Sequence, residues 1–136
     1  MSLPPFISII IPVYNAVSTI GITLESILIQ DYSDYEVIVI DGLSNDGSMD
    51  IINNYKDRFQ NIEIISEEDQ GVYFAMNKGI LKAKGTILGV LSANDFFISK
   101  GVLRTIADPF LKDDFLAIVY ARVAYFNSRN YITRLW

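Results

Sequence analysis

The chain has 136 residues, of which 51% are hydrophobic and 20% are charged, a composition that suits one domain with a well-packed α/β interior. Its 11 basic and 16 acidic residues give a formal net charge of −5, which argues against a nucleic-acid-binding scaffold, because such a scaffold neutralises phosphates with basic side chains. The absence of His and Cys excludes a Ser-His-Asp triad, a thiol nucleophile, a disulfide and any zinc site built from those residues.

The first half of the chain alternates predicted strands with predicted helices. Phe6–Ile11 is rich in isoleucine and predicts a buried strand, which Pro12 ends because proline cannot donate to a sheet ladder. Asn15 or Ser18 caps a helix that runs to about Gln30, since apolar residues recur there at helical spacing. The same patterns predict a strand at 35–40, a helix at 48–59, a strand at 62–65 and a helix at 72–83.

The second half begins with an uncharged segment, Thr86–Leu91, which predicts a central strand buried on both faces. A helix near 101–110, a strand at 116–120 and a hairpin made of 123–126 and 131–136 complete the chain. Strands that alternate with helices predict right-handed crossovers and a three-layer αβα sandwich with a mostly parallel sheet. We expect a single domain over residues 1–136.

Four side chains suited to chemistry follow the predicted strands, namely Tyr14, Asp41, Asp69 and Asp95. Because the carboxyl ends of parallel strands meet at one edge of a sheet, we expect these side chains to surround one cleft. Asp95 is the first candidate for chemistry, since it follows the strand predicted to be central. The alternative is that Asp95 only caps the turn or helix that comes next.

Several α/β sites are absent from the sequence. The turn after the first strand is Pro12–Asn15, so the G-x-G-x-x-G loop of dinucleotide-binding proteins is missing, and there is no Walker A loop. A phospho-acceptor receiver domain would have a similar length, but it needs an acidic pair after its first strand. That pair is missing as well.

Four segments resemble the nucleotide-sugar half of a family 2 glycosyltransferase with the GT-A fold. They are Ile9–Asn15, Val39–Ser48, Ser66–Gly79 and Leu91–Asp95, and they occur in the order and spacing of that family. The resemblance implies a Rossmann-like GT-A sheet, and it continues through 117–120 and 132–136. It also implies that the chain is truncated before the acceptor half, which carries the general base, so we assign no catalytic base here.

The resemblance implies a role for many residues of the cleft. Tyr14 would lie against the nucleotide base and Asp41 would accept a hydrogen bond from it, while Ser44 has the alternative role of shaping its loop. Phe74 stands where relatives have a polar or acidic residue, so the choice among UDP-, GDP- and dTDP-sugars stays open. The substrate-binding candidates are Pro12, Tyr14, Asn15, Asp41, Ser44, Asp69, Gly71, Asn77, Lys78, Ser92, Ala93 and Asn94.

Asp95 resembles the last acid of the family's D-x-D-type motif, which binds a divalent cation, Mn²⁺ or Mg²⁺, between the protein and the diphosphate. Such an ion would offset the charge that develops on the leaving nucleoside diphosphate. Ser92 and Asn94 stand where Asn or Asp is usual, so the site has a single carboxylate. We therefore expect weak metal affinity that depends on the donor nucleotide.

Three functional hypotheses follow. The first is an inverting glycosyltransferase that moves a sugar from a nucleotide diphospho-sugar to a polysaccharide or lipid-linked acceptor, or the donor-binding half of one. The second is a non-catalytic nucleotide-binding or assembly module without an acceptor site. The third, a receiver-like module, predicts no nucleotide binding.

The sequence also carries an expectation about location. It has no apolar run near the roughly 18 residues of a membrane span, and Met1–Pro5 lacks the charged and apolar parts of a signal peptide. We expect a cytoplasmic protein, including a peripheral position at the inner face of a membrane, with no transmembrane segment.

Overall fold

The computed structural model describes residues 5–129 and 131–135. Within these residues strands and helices alternate through the first 112 positions, and a hairpin follows. The elements are β1 (Ile7–Val13), α1 (Ile20–Leu28), β2 (Tyr35–Asp41), α2 (Ser48–Lys56), β3 (Ile62–Ser66), α3 (Val72–Lys82), β4 (Ile87–Val90), α4 (Val102–Lys112), β5 (Ala124–Phe126) and β6 (Ile132–Leu135). The predicted alternation is therefore confirmed.

Strands β1 to β4 form one parallel sheet in the order β3-β2-β1-β4. The two middle strands supply the core: all residues of β1 are buried, and so are all residues of β2 after Tyr35. A strand with a neighbour on each side and a helical layer on each face is mostly apolar, which explains the two isoleucine- and valine-rich runs. The predicted class, α/β with a mostly parallel sheet, is confirmed.

Helices cover both faces of the sheet. α3 packs on one face, where Ala75 joins Ile38 and Ile40 in a buried cluster. Right-handed crossovers place α1 and α2, which contact each other, on the opposite face. The close approach of α3 depends on Gly79, because a Cβ there would collide with the side chain of Ile10 in β1.

β4 differs from its prediction as a central strand buried on both faces. Among the described residues it pairs with β1 alone and lies at the edge of the four-stranded sheet, and Leu88 and Val90 are nearly half exposed. The uncharged sequence correctly indicates a strand in a parallel sheet. It does not reveal how many neighbours that strand has, which is what determines its burial.

The prediction that Pro12 ends the first strand is wrong, because β1 continues to Val13 and Pro12 pairs with Ile40. The carbonyl of Ile10 accepts a hydrogen bond from the amide of Leu91, on the β4 side of β1. Residues two apart in a strand direct their backbone groups to the same side, so the nitrogen of Pro12 also faces β4. The β1–β4 register has already ended at Ile10 and Val90. The missing N–H of proline therefore removes no ladder bond.

Two other predicted elements differ from the structure. α1 begins at Ile20 with no side-chain cap, so neither Asn15 nor Ser18 caps it, and Asn15 binds a neighbouring loop instead. Residues 116–120 form no strand. The closing hairpin is confirmed as antiparallel β5 and β6, while Asn130 and Trp136, which belong to that prediction, lie outside the described residues, as do Met1 to Pro4.

A buried polar group fastens the amino end of the sheet. Glu36 on β2 accepts a hydrogen bond from Ser8 Oγ at 2.6 Å and another from the amide of Lys84 at 2.7 Å. Ser8 Oγ in turn accepts from the amide of Gly85 at 2.8 Å. This arrangement ties β1 and β2 to the start of β4, at the end of the sheet opposite the polar loops.

The chain divides into two compact units between Arg104 and Thr105. The first contains the parallel sheet with α1 to α3, and the second contains the β5–β6 hairpin. The single domain over 1–136 stays a prediction. Among the described residues no helix has the length and apolar character of a bilayer crossing, and a cytoplasmic location stays a prediction too.

Two helical glycines give a matched test of the packing. Gly79→Ala places a Cβ against Ile10, and overpacking costs about 1–3 kcal/mol, more than the ~1 kcal/mol that alanine gains in a helix. Gly21→Ala meets only ordinary contacts, at 3.7 and 3.9 Å from Ile51 and Tyr55. We expect urea unfolding to show a lower free energy of unfolding for G79A and an unchanged or higher one for G21A. Equal values for the two variants would contradict this packing.

Candidate functional site

A cavity of about 980 Å³ opens at the carboxyl edge of the parallel sheet, within the first compact unit. Four segments contribute to it, and each follows a different strand of the sheet, as the topology of open α/β sheets predicts. The lining residues are Pro12, Val13, Tyr14, Asn15, Ala16, Ser18, Thr19, Gly42, Leu43, Glu68, Asp69, Gly71, Val72, Ala75, Ser92, Ala93 and Asn94.

The loop after β1 and the loop after β2 hold each other in place. The amide of Asn15 donates to Ser44 Oγ at 2.8 Å, and Asn15 Oδ1 accepts from the amide of Asn45 at 2.9 Å. Asn15 and Leu43 both have positive φ, at 49° and 61°, which is uncommon for residues other than glycine. Both residues line the cavity, so this strained backbone forms part of its wall.

Asp46 adds a second fastening between the same loops. Its carboxylate accepts from the hydroxyl of Ser48 at 2.5 Å and from the amides of Val17 at 2.9 Å and Ser48 at 3.0 Å. Ser48 Oγ also accepts from the amide of Ala16 at 2.8 Å. The Ser48 hydroxyl, followed by these amides, lowers the pKa of Asp46 below its usual range, because all of them stabilise the charged form.

Asp41, at the end of β2, is fully buried and organises the loop that follows it. Its carboxylate accepts from the amide of Ser44 at 3.2 and 3.3 Å and from Ser66 Oγ at 2.7 Å. The amide of Glu67 donates to the backbone carbonyl of Asp41 at 3.0 Å. Asp41 therefore joins the ends of β2 and β3 beneath the cavity wall.

Asp69 is the carboxylate that the loop after β3 brings to the cavity. One of its oxygens accepts from the amide of Gly71 at 2.9 Å. The other lies so near Gly42 that a Cβ on that residue would be only 2.8 Å away. Glycine at position 42 thus allows Asp69 to approach the loop after β2.

The lining of the cavity is acidic. Glu68 and Asp69 belong to it, and no Lys or Arg is among these lining residues. Lys78, the basic candidate from the sequence, contacts Glu67 at 3.0 Å and donates to the carbonyl of Glu68 at 2.9 Å. The ammonium group of Lys78 therefore pairs with the loop after β3 and does not line the cavity.

The structure brings eight of the predicted site residues to the cavity wall: Pro12, Tyr14, Asn15, Asp69, Gly71, Ser92, Ala93 and Asn94. Five others do not line it. Asp41 is buried and Ser44 binds Asn15, as described above. Asn77 is exposed on α3, Lys78 is held by Glu67, and Asp95 is exposed in the turn that follows the lining residues.

Sequence reasoning missed several lining residues, chiefly Ala16, Ser18, Thr19, Gly42 and Leu43. Leu43 could have been recognised as a candidate lining residue, because it is an isolated aliphatic residue in an otherwise polar turn. The sequence left the start of the helix open between Asn15 and Ser18, and in the structure Ala16, Ser18 and Thr19 precede α1 and line the cavity.

A parallel α/β sheet with a loop-lined cavity at its carboxyl edge defines the class of open-sheet domains that bind small ligands at this edge. The sequence model of the family described as "Glycosyl transferase family 2" matches residues 8–136, so the chain belongs to that family.

Similar proteins agree with this assignment. The chain is 42% identical over 93 residues to glycosyltransferase AglE of Haloferax volcanii, a match that covers 66% of this chain and 31% of AglE. It is 26% identical to S. aureus TarS 1-349 in a crystal structure with UDP, with a TM-score of 0.73, covering 79% of this chain and 32% of that one. Mannosyltransferase PcManGT from Pyrobaculum calidifontis, in complex with GDP-Man and Mn2+, shares the fold at 24% identity and a TM-score of 0.73, covering 80% of this chain and 33% of that one. The chain thus spans about a third of the length of these proteins.

Asp46 gives a pH-dependent test of the fastening between the loops. Because the pKa of Asp46 is lowered in the folded state, its carboxylate stabilises the fold above the unfolded-state pKa, and this contribution is lost as the pH falls through the folded-state pKa. We expect wild type to exceed Asp46→Asn in free energy of unfolding at pH 7, and the difference to shrink below about pH 4. Denaturant unfolding of wild type and D46N at several pH values measures this difference in free energy.

Asp57→Asn removes one exposed negative charge at the end of α2 and serves as the control. A difference between wild type and D46N that is the same at pH 7 and pH 3 would contradict the role given to Asp46.

Proposed function

We propose that this chain binds a nucleotide diphospho-sugar in the cavity and forms the donor-binding part of an inverting glycosyltransferase. The whole protein would transfer the sugar to a polysaccharide or lipid-linked acceptor. The observation that carries the proposal is the cavity itself, which gathers Tyr14, Asp69 and residues 92–94 from three distant segments in a chain of glycosyl transferase family 2. UDP in the crystal structure of TarS is a precedent for a nucleotide ligand.

Tyr14 and Asp69 suit the nucleoside part of the donor. The Tyr14 side chain is 67% exposed while lining the cavity, so its ring is available to stack on a flat base. Asp69 offers a carboxylate that accepts hydrogen bonds from a base or a ribose. Asp41 supports this site indirectly, because its carboxylate is buried and accepts hydrogen bonds from Ser44 and Ser66.

The diphosphate needs a positive partner, because the lining is acidic and its residues include no Lys or Arg. Asp95, just beyond the lining residues, together with the hydroxyl of Ser92 and the amide oxygen of Asn94, would supply the hard oxygen ligands that Mg²⁺ or Mn²⁺ prefers. In the described part of the chain no group of three or more His, Cys, Asp or Glu residues is placed to hold a metal ion. These residues therefore fit an ion shared with the diphosphate and not an ion held by protein alone.

When bound, the cation would offset the negative charge of the leaving nucleoside diphosphate. The chain's part is to hold the donor: Tyr14 orients the base, Asp69 the nucleoside, and the turn at 92–95 the diphosphate. Inversion also requires a general base to take the proton of the acceptor hydroxyl. We assign that role to no residue of this chain.

A second candidate is a non-catalytic nucleotide-binding or assembly module. The single carboxylate among residues 92–95 favours it, because one acid holds a cation more weakly than a pair does. Slow hydrolysis of a bound nucleotide sugar in the presence of Mn²⁺ would support the transferase, whereas tight binding without any turnover would support the module.

Tyr14→Ala tests the base-binding role. Loss of stacking on an aromatic ring costs about 1–3 kcal/mol, so we expect nucleotide-sugar affinity to fall about 5- to 150-fold. Calorimetric titration with UDP-, GDP- and dTDP-sugars in the presence of Mn²⁺ first identifies the donor and then gives the ratio.

Tyr73→Ala is the matched control, because Tyr73 is an exposed tyrosine on α3 that does not line the cavity. Failure of wild type to bind any of these sugars would overturn the proposed function. Equal affinities of wild type and Y14A would overturn the role of Tyr14.

Asp95→Asn tests the shared cation. We expect the variant to bind the nucleotide sugar about tenfold more weakly than wild type in Mn²⁺, a loss on the order of 1.4 kcal/mol, and removal of metal with EDTA to weaken wild type but change D95N little. Asp113→Asn removes an exposed carboxylate of the second compact unit and should behave as wild type. Tight binding of Mn²⁺ without nucleotide would show that the cation is not shared.

A further inference from the structure

Helix α1 carries polar side chains on its buried face. Thr23 and Ser26 are both buried, and Gln30 follows one turn later, so the three residues have the spacing of neighbours on one helix face. Buried hydroxyl groups cost free energy unless they form hydrogen bonds. Each of them donates to a carbonyl about one turn earlier, and their other partners all lie in one segment of backbone, residues 93–103.

Thr23 contacts the turn at 92–95 directly. Its hydroxyl lies 2.7 Å from the carbonyl oxygen of Asp95 and 3.0 Å from that of Ala93, and it is 3.4 Å from the carbonyl of Thr19 in its own helix. A hydroxyl has one proton, so these carbonyls share a single donor. The turn itself is closed by the amide of Asp95, which donates to the carbonyl of Ser92 at 2.9 Å.

The following residues are held by Ser26 of the same helix and by Gln30, which lies two residues beyond the end of that helix. Ser26 Oγ accepts from the amide of Phe97 at 3.1 Å, and Gln30 donates to the carbonyl of Ser99 at 2.6 Å. Gln30 also accepts from the amide of Leu103 at 3.0 Å. Residues 91–100 form no helix or strand, so these side chains supply hydrogen bonds that regular structure would otherwise provide.

The position of α1 gives these contacts a consequence for the cavity. Ala16, Ser18 and Thr19, just before the helix, line the cavity on one side, and Ser92 to Asn94 line it from the segment that Thr23 holds. The helix α1 therefore follows directly after one part of the cavity wall, and its side chains hold another part by hydrogen bonds. A change at Thr23 would shift the turn at 92–95 while leaving Tyr14 and Asp69 in place.

We propose that Thr23 is a positioning residue for donor binding: its hydroxyl sets the turn at 92–95 at the distance from Tyr14 that a nucleoside diphosphate spans. The inference rests on the proposed function, because it takes the occupant of the cavity to be a nucleotide. Thr23 contacts no ligand itself. It acts through the carbonyls of Ala93 and Asp95.

The test compares Thr23→Val, which keeps the shape and removes the hydroxyl, with Thr23→Ser, which keeps the hydroxyl. Amide hydrogen exchange of the free protein should show the Asp95 amide exchanging about tenfold faster in T23V than in wild type or T23S, with amides of β1 and β2 much less affected. With Mg²⁺ present, T23V should bind UDP about tenfold more weakly and uridine with unchanged affinity, and T23S should restore UDP binding. GDP and guanosine replace these probes if GDP binds more tightly.

Ser26→Ala provides a second variant should T23V fail to fold. It removes the acceptor of the Phe97 amide, which should exchange faster, and UDP affinity should again fall more than uridine affinity. Unchanged exchange and unchanged UDP binding in T23V would overturn the role of Thr23, and so would an equal loss of UDP and uridine binding, which indicates general loosening. A wild-type protein that binds none of UDP, GDP and dTDP would overturn the proposed function and this inference with it.

Discussion

Three successive backbone amides, those of Asn15, Ala16 and Val17, each donate to a side chain in the segment that joins β2 to the start of α2. The acceptors are Ser44 and Asp46 in the loop and Ser48 at the first position of α2, so two segments that are about 30 residues apart in sequence are held together as one part of the cavity wall. Without these acceptors the three amides would need water or a different backbone path. The cavity depends on this interlock, because its strained residues Asn15 and Leu43 lie within it.

The buried polar groups of the sheet lie at the two ends of its strands. Its middle is isoleucine and valine, its amino end is closed by Glu36 with Ser8, and its carboxyl end places Asp41 beneath the cavity and Asp69 beside it. Two carboxylates at one edge thus have different tasks. Asp41 has its hydrogen bonds satisfied inside the protein, whereas Asp69 is half-buried and faces the open space that a ligand would occupy.

Most of the fold and much of the site were predictable from the sequence, for reasons that particular residues show. Runs such as Val37–Ile40 can only be interior strands, and parallel strands bring Tyr14 and Asp69 to one edge whatever the loops do. Burial of Asp41, the edge position of β4 and the bonds of Thr23 were not predictable, because they depend on which distant groups come into contact. A polar residue in a sequence shows that a partner is needed but does not say which one.

The edge position of β4 has a consequence for handling the chain. Within the described residues no strand pairs with its outer side, and its side chains Leu88 and Val90 are partly open to solvent. A bare strand edge beside aliphatic surface is a template for β-augmentation. Concentrated solutions of this polypeptide should therefore self-associate, and Leu88→Lys should reduce light scattering without altering the cavity, which Leu88 does not line.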